Sequence, residues 1–288
     1  MVGGSFIRSI RQLLVVTVAL AIAGGSYLTR ARTTSWEEPL WVTIYPIAAD
    51  NRESTRQYVD RLTSAHFKSI ENFLERETAR YGVNISRPIR IDVGDRVASM
   101  PPVPPFGGNP LEVISWSFKM RWWASDVTSE NSAAPPDIKL FVIYHDPELS
   151  PSVPHSLGLQ KGMLGVVHVF ADTRMKGANQ FVIAHEMLHT LGATDKYQPQ
   201  SNHPIFPIGY AEPNASPRFP QRFAEIMGGR IPLSASESRI PSSLEKARVG
   251  AATALEIRWI DELRDTSPVV AARDKIYEPT DKKTARLN

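Results

Sequence analysis

The stretch FVIAHEMLHTLGATDKY, residues 181–197, holds side chains whose types and spacing suit chemistry at a divalent cation. His185 and His189 are four residues apart. On a helix that spacing puts both on one face, about 6 Å apart along the axis. Two imidazoles so placed can share one Zn²⁺ at about 2.0–2.1 Å each. Glu186 stands beside the first histidine, where a carboxylate can take a proton from water acidified by the ion. Gly192 suits the left-handed residue that ends a helix, which lets the chain reverse. Asp195 then returns toward the histidines as a candidate third ligand, a carboxylate oxygen being a good zinc donor.

The competing reading is an ordinary helix with two structural histidines. Phe181, Val182, Ile183, Ala184, Met187, Leu188 and Leu191 make this helix read as buried. Two imidazoles and a carboxylate inside such a helix cost free energy unless partnered. A cation removes that cost, so the metal reading is preferred.

His185-Glu186-x-x-His189-x-x-Gly192-x-x-Asp195 resembles the extended zinc motif of the metzincin metallopeptidases, with the aspartate third ligand of snapalysin-like enzymes. The resemblance implies one catalytic Zn²⁺ on His185, His189 and Asp195. It implies Glu186 as general base in peptide-bond hydrolysis, and Met227 of AEIMGGR as a methionine turn below the metal. The fold it implies is α/β (α+β): a single mixed sheet with a backing helix, an active-site helix, and a C-terminal helix after the methionine turn. Substrate would be a protein or peptide, paired in extended form with an edge strand near Ser156, Leu157 and Leu159. Tyr197, two residues past Asp195, is a candidate hydrogen-bond donor to the reacting carbonyl. Glu212 and, less well, His203 are substitute third ligands. His145 and His168 lie among apolar strand residues and read as structural. A helix at 110–125 and a long loop before Met227 depart from the family pattern. Two other functions stay open: a zinc amidase acting on a cell-wall or other amide, and a non-catalytic, metal-stabilised binding module. The intact Glu186 favours an enzyme, because a purely structural site needs no base.

The elements that must position these residues read as follows. Residues 41–48 form a strand, and 54–82 a long helix that Gly82 stops. A second strand follows from Arg87. A proline- and glycine-rich linker occupies 99–110, and Asn109 with Pro110 starts a helix, apolar on more than one face and expected to be buried against the domain, with a rim or membrane-facing place for Trp122 and Trp123 as the alternative. A strongly apolar strand spans 137–146. Residues 155–172 form a hairpin turning at Gln160-Lys161-Gly162, with its second arm central in the sheet. The quoted helix covers about 178–191, an irregular loop 198–222, and a last helix about 242–263.

Bulk composition sets limits. The chain has 288 residues, 33 basic and 30 acidic side chains, and no cysteine. Disulfides, thiolate zinc sites and cysteine nucleophiles are excluded. Residues 1–35 hold Arg8, Arg11, Arg30 and Arg32 and no acid. The basic excess therefore belongs to that segment, and the body offers no basic footprint for nucleic acid. Arg8 and Arg11 precede an apolar run at 13–23 that ends in Ala21-Ile22-Ala23, the pattern of a cleavable signal peptide. The uncharged run from Gln12 to Thr29 is also long enough for a transmembrane helix, so a retained signal-anchor is the alternative. Either implies a body exported to the cell envelope or beyond. The expected organisation is thus a signal peptide or membrane anchor at 1–35, a catalytic domain at 36–266, and a polar tail at 267–288.

Overall fold

The computed structural model describes residues 33–105, 109–128, 135–159 and 163–263. The chain builds β1 (Leu40–Ala48), α1 (Glu53–Asp60), α2 (Lys68–Tyr81), β2 (Ile89–Val93), α3 (Pro110–Asp126), β3 (Ile138–His145), β4 (Leu157–Leu159), β5 (Leu164–Phe170) and α4 (Lys176–Thr190). Beyond α4 come four two-residue strands, β6 (Ala224–Glu225), β7 (Ile231–Pro232), β8 (Ser238–Arg239) and β9 (Ala247–Arg248), and then α5 (Ala251–Glu256). The first five strands form one sheet in the order β2-β1-β3-β5-β4. All its pairings are parallel except β4 on β5, which is antiparallel. The fold is therefore mixed α/β around a mostly parallel sheet.

Both faces of that sheet are covered, which is why β1 and β3 read as continuous apolar runs rather than alternating ones. Val42, Ile44, Ile138, Leu140, Val142 and Val167 pack on the side of α2 and α4. Tyr45, Ile47, Phe141, Ile143, Leu164 and Val166 face the other way, onto Trp116 and Met120 of α3. Phe181, Ile183, Ala184, Met187 and Leu188 sink α4 into the first layer. Each large side chain so buried contributes about 1.5–3 kcal/mol, which fixes the helix that carries the histidines.

Several expectations change. The helix expected over 54–82 is broken. Leu62 N–H closes back on Val59 O, and Thr63 with His66 forms a reciprocal cap that restarts the chain as a 3₁₀ turn at Ser64–Phe67. Gly82 does end the second piece, at φ 72°. The last helix is far shorter than 242–263. The carbonyls of Leu244, Ala247 and Val249 accept hydrogen bonds from Arg76, Arg80 and Tyr81, so that stretch stays out of the helical ladder until Ala251. Strand β5 lies between β3 and β4, inside the sheet but not at its middle, and the hairpin turn at 160–162 falls outside the described residues.

The helix at 110–126 starts as expected, with Asn109 accepting from the N–H groups of Leu111 and Glu112. It is buried on one side only, through Trp116, Met120 and Ala124. Leu111, Ile114, Phe118 and Trp122 stand exposed on the other. The expectation of a membrane-spanning signal-anchor is corrected: among the described residues no helix is long and apolar enough to cross a membrane. The run at 12–29 on which it rested, most of the 1–35 segment and the 267–288 tail lie outside those residues.

Candidate metal centre

Helix α4 begins where Asp172 caps a 3₁₀ turn and Asn179 bonds both backbone groups of Phe170, tying the helix start to the end of β5. It ends at Gly192, whose φ of 104° belongs to the region that favours glycine. Ala193 N–H bonds back to Leu188 O and Gly192 N–H to His189 O, closing the last turn and reversing the chain.

The reversal brings Asp195 onto the two histidines. His185 Nε2 and His189 Nε2 are 3.1 Å apart. Asp195 Oδ1 is 3.2 Å from the first and 3.1 Å from the second. Four ligands around a zinc ion at about 2.0–2.1 Å stand about 3.3–3.4 Å from one another, so this triangle has close to the right size. Each ring's other nitrogen is already committed. His185 Nδ1 donates to Ile226 O and His189 Nδ1 to Ala193 O, both at 2.8 Å. A carbonyl only accepts, so in the neutral rings the protons sit on Nδ1 and both Nε2 atoms present lone pairs. Two lone pairs and a carboxylate oxygen thus converge on one point. Among the described residues His185, His189 and Asp195 are the group of this kind that could hold a metal ion. The chemistry of the donor set fits a borderline-soft dication.

The electrostatics agree. Burial disfavours charge on His185, but the Asp195 and Glu186 carboxylates and the Ile226 carbonyl outweigh it and raise the ring's pKa. Burial also works against the Asp195 carboxylate, and the two imidazoles override it and hold that group well below the usual range. Glu186 is 7% exposed, and its burial raises its pKa although both histidines pull it down. A carboxylate with a raised pKa is a better proton acceptor. His185 is buried while the Asp195 side chain is 44% exposed, so the site opens on the aspartate's side.

The remaining candidates fall as follows. Tyr197 donates its hydroxyl to Asp195, and burial with that carboxylate pushes its pKa up to about 12, so it stays a donor. Met227 is fully buried in a 3₁₀ turn, Ile226–Gly228, directly after the carbonyl that orients His185. Leu157 and Leu159 lie on β4, at the end of the sheet. That strand rests on α4 at Gly158, where an added Cβ would stand 2.4 Å from His189 Cβ. Ser156 spends its hydroxyl on the N–H of His168. Glu212 is held by Arg222 and lies outside the cluster, which removes it as a substitute ligand. His203 is also outside, its ring nitrogens buried without a partner among the described residues. His145 and His168 bond to each other at 2.9 Å on the opposite face of the sheet.

Other contributors to the site were invisible in the sequence. The carbonyls of Ile226 and Ala193 orient the rings, and a backbone group leaves no compositional trace. Glu225 is fully buried and accepts from Gly228 N–H, Gly250 N–H and Thr253 Oγ1, joining the Ile226–Gly228 turn to the start of α5. Lys196 and Glu256 form an ion pair at 2.6 Å just behind Asp195. A lysine directly after Asp195 was the one available hint.

No family model matches this chain. No curated protein matches it. Among solved structures, one described as "Structure of a chaperone-substrate complex" matches 77% of this chain at 14% identity with a TM-score of 0.36. The chain spans about a third of that structure's length, 34% of it, and a likeness at this level bears on neither fold nor function.

Proposed function

We propose that this protein is an exported zinc-dependent endopeptidase that cleaves peptide bonds with Glu186 as general base. The observation that carries the reading is the convergence of three metal-ligating atoms, His185 Nε2, His189 Nε2 and Asp195 Oδ1, within 3.2 Å of each other. One bound cation would satisfy all three atoms at once. The motif's resemblance to metzincins supports the same conclusion, and the segment at 1–35 supports export.

His185, His189 and Asp195 hold the ion. A bound zinc supplies Lewis-acid polarisation of the scissile carbonyl and acidifies water beside it. Glu186 accepts the proton of the attacking water and returns it to the departing amine, so the carboxylate ends the cycle as it began. Ile226 O and Ala193 O hold the imidazoles in the tautomer that leaves Nε2 free. Tyr197 keeps its proton and can shift its hydrogen bond from Asp195 to the reacting oxygen. Substrate adds in extended form to the outer edge of β4, where no strand pairs among the described residues. Because Gly158 abuts His189, a peptide on that edge runs past the ion site. Leu157 and Leu159 contribute backbone hydrogen bonds there, and Ser156 contributes backbone only.

Replacing Glu186 by Gln tests this. The variant should bind Zn²⁺ as wild type does, and its turnover of casein or a peptide library should fall about 10²–10⁴-fold. Equal turnover in both proteins, or none in metal-loaded wild type, would refute the proposal and favour an amidase or a binding module.

A further inference from the structure

Asp195 is the ligand least held by its own helix. It follows α4 rather than belonging to it, and its side chain is 44% exposed. Ending the helix is already the work of Gly192, yet the chain on both sides of Asp195 is fastened by one distant carboxylate. Glu256, the last residue of α5, accepts from Thr194 N–H at 2.9 Å and from Thr194 Oγ1 at 2.6 Å. It also accepts from Lys196 Nζ at 2.6 Å. Lys196 is 1% exposed, and its ammonium reaches back to Thr194 O at 2.9 Å. Its backbone N–H donates to Met227 O, also at 2.9 Å. Residues 194 and 196 are thus each fixed more than once, and Asp195 is pinned between them.

A lysine this deeply buried costs several kcal/mol unless its charge is matched and hydrogen-bonded. Glu256 meets both conditions while taking two more donors from Thr194. The whole arrangement is spent on a three-residue stretch whose middle member points at the histidines. We infer that Glu256 is a positioning residue for the third ligand, acting through Thr194 and Lys196, and that it sets the affinity of the centre for its cation. The inference rests on the metal-centre reading above. Helix α5 thereby has a function despite its six residues: Glu225 ties its start to the methionine turn, and Glu256 ties its end to the ligand.

Outer partners of metal ligands typically change affinity 10–100-fold when removed. The experiment measures Zn²⁺ dissociation constants on the full chain by chelator competition. It also records the visible absorption of the Co²⁺ form. The proteins compared are wild type, Glu256→Ala, Asp195→Ala and the double variant, each shown to be folded by far-UV circular dichroism at the assay temperature. Glu256→Gln, of nearly equal shape, serves if the alanine variant does not fold. Glu256→Ala should weaken binding 10–100-fold and shift the Co²⁺ spectrum toward that of Asp195→Ala. The double variant should bind no more weakly than Asp195→Ala alone, because the clamp acts only through that ligand. Folded Glu256 variants with wild-type affinity, or losses that add in the double variant, would overturn the inference. Wild type that binds neither ion removes the metal reading and this inference with it, and the wild-type arm reveals that before any variant is compared.

Discussion

Two backbone carbonyls decide which nitrogen His185 and His189 each present to the cluster, and side chains alone would not have settled it. Ile226 O and Ala193 O take the Nδ1 protons and leave Nε2 facing inward on both rings. The second histidine pair shows the contrast. His145 and His168 also approach to 2.9 Å, but there one ring donates to the other and the pair is satisfied without an ion. Burial, with a smaller contribution from His145, holds the pKa of His168 down to about 4. For His145 burial lowers the pKa and Asp50 opposes it. A histidine depressed in the folded state takes up its proton more readily when unfolded, so it costs stability as pH falls below about 6.5 toward 4. At pH 7 both states hold the ring neutral and the penalty vanishes. Denaturant unfolding should therefore show wild type losing about 1–2 kcal/mol more than His168→Gln between pH 7 and pH 4.5, after allowance for partial solvent screening. Parallel pH dependence in the two proteins would place the penalty elsewhere.

At the scale of elements, the site is an assembly of one long helix and three short pieces that lean on it. Strand β4 reaches α4 through a glycine. A Cβ on residue 158 would stand 2.4 Å from His189 Cβ and 2.7 Å from Glu186 O, and the second of these is backbone that cannot swing away. Gly158→Ala should force β4 off the helix, costing about 1–3 kcal/mol in denaturant unfolding and weakening Zn²⁺ binding at His189. A variant with unchanged stability and affinity would mean that the strand and helix do not need this closeness. The 198–222 loop, irregular as expected, is held by its own contacts, among them Arg218 over the Phe206 ring and Arg222 with Glu212. Helix α5 is short because its upstream residues give their carbonyls to Arg76, Arg80 and Tyr81 of α2. Periodicity across 242–263 saw apolar residues at helical spacing, and had no means of seeing those arginines.

At the scale of the molecule, α3 covers the face of the sheet that α2 and α4 leave open. Only its inner side is spent on that task. Leu111 and Trp122 are 75% and 78% exposed, while Met120 is fully buried. Stability should follow that division. Trp122→Ser should change unfolding free energy by about 0.5 kcal/mol or less, and Met120→Ala should cost about 2–5 kcal/mol. A large loss at Trp122 would mean that the outer stripe is covered in solution. Apolar residues on more than one face of the helix at 110–125 led to an expectation of burial, because composition records how greasy a helix is and not how many neighbours reach it.

The sequence by itself determined the grouping of His185, Glu186, His189 and Asp195, the helix that carries the first three and its stop at Gly192. These depend on spacing within a dozen residues, and local geometry translates spacing into direction. It also determined the apolar strands β1 and β3, since burial on both faces leaves an unbroken apolar run, while their parallel pairing came from the structure. Only the tertiary structure decided which ring nitrogens face inward, that Glu256 and Lys196 fix the chain on either side of Asp195, where α5 begins, and which side of α3 is dry. Each of those depends on a partner tens to hundreds of residues away, and such a partner imposes no period on the sequence that it meets.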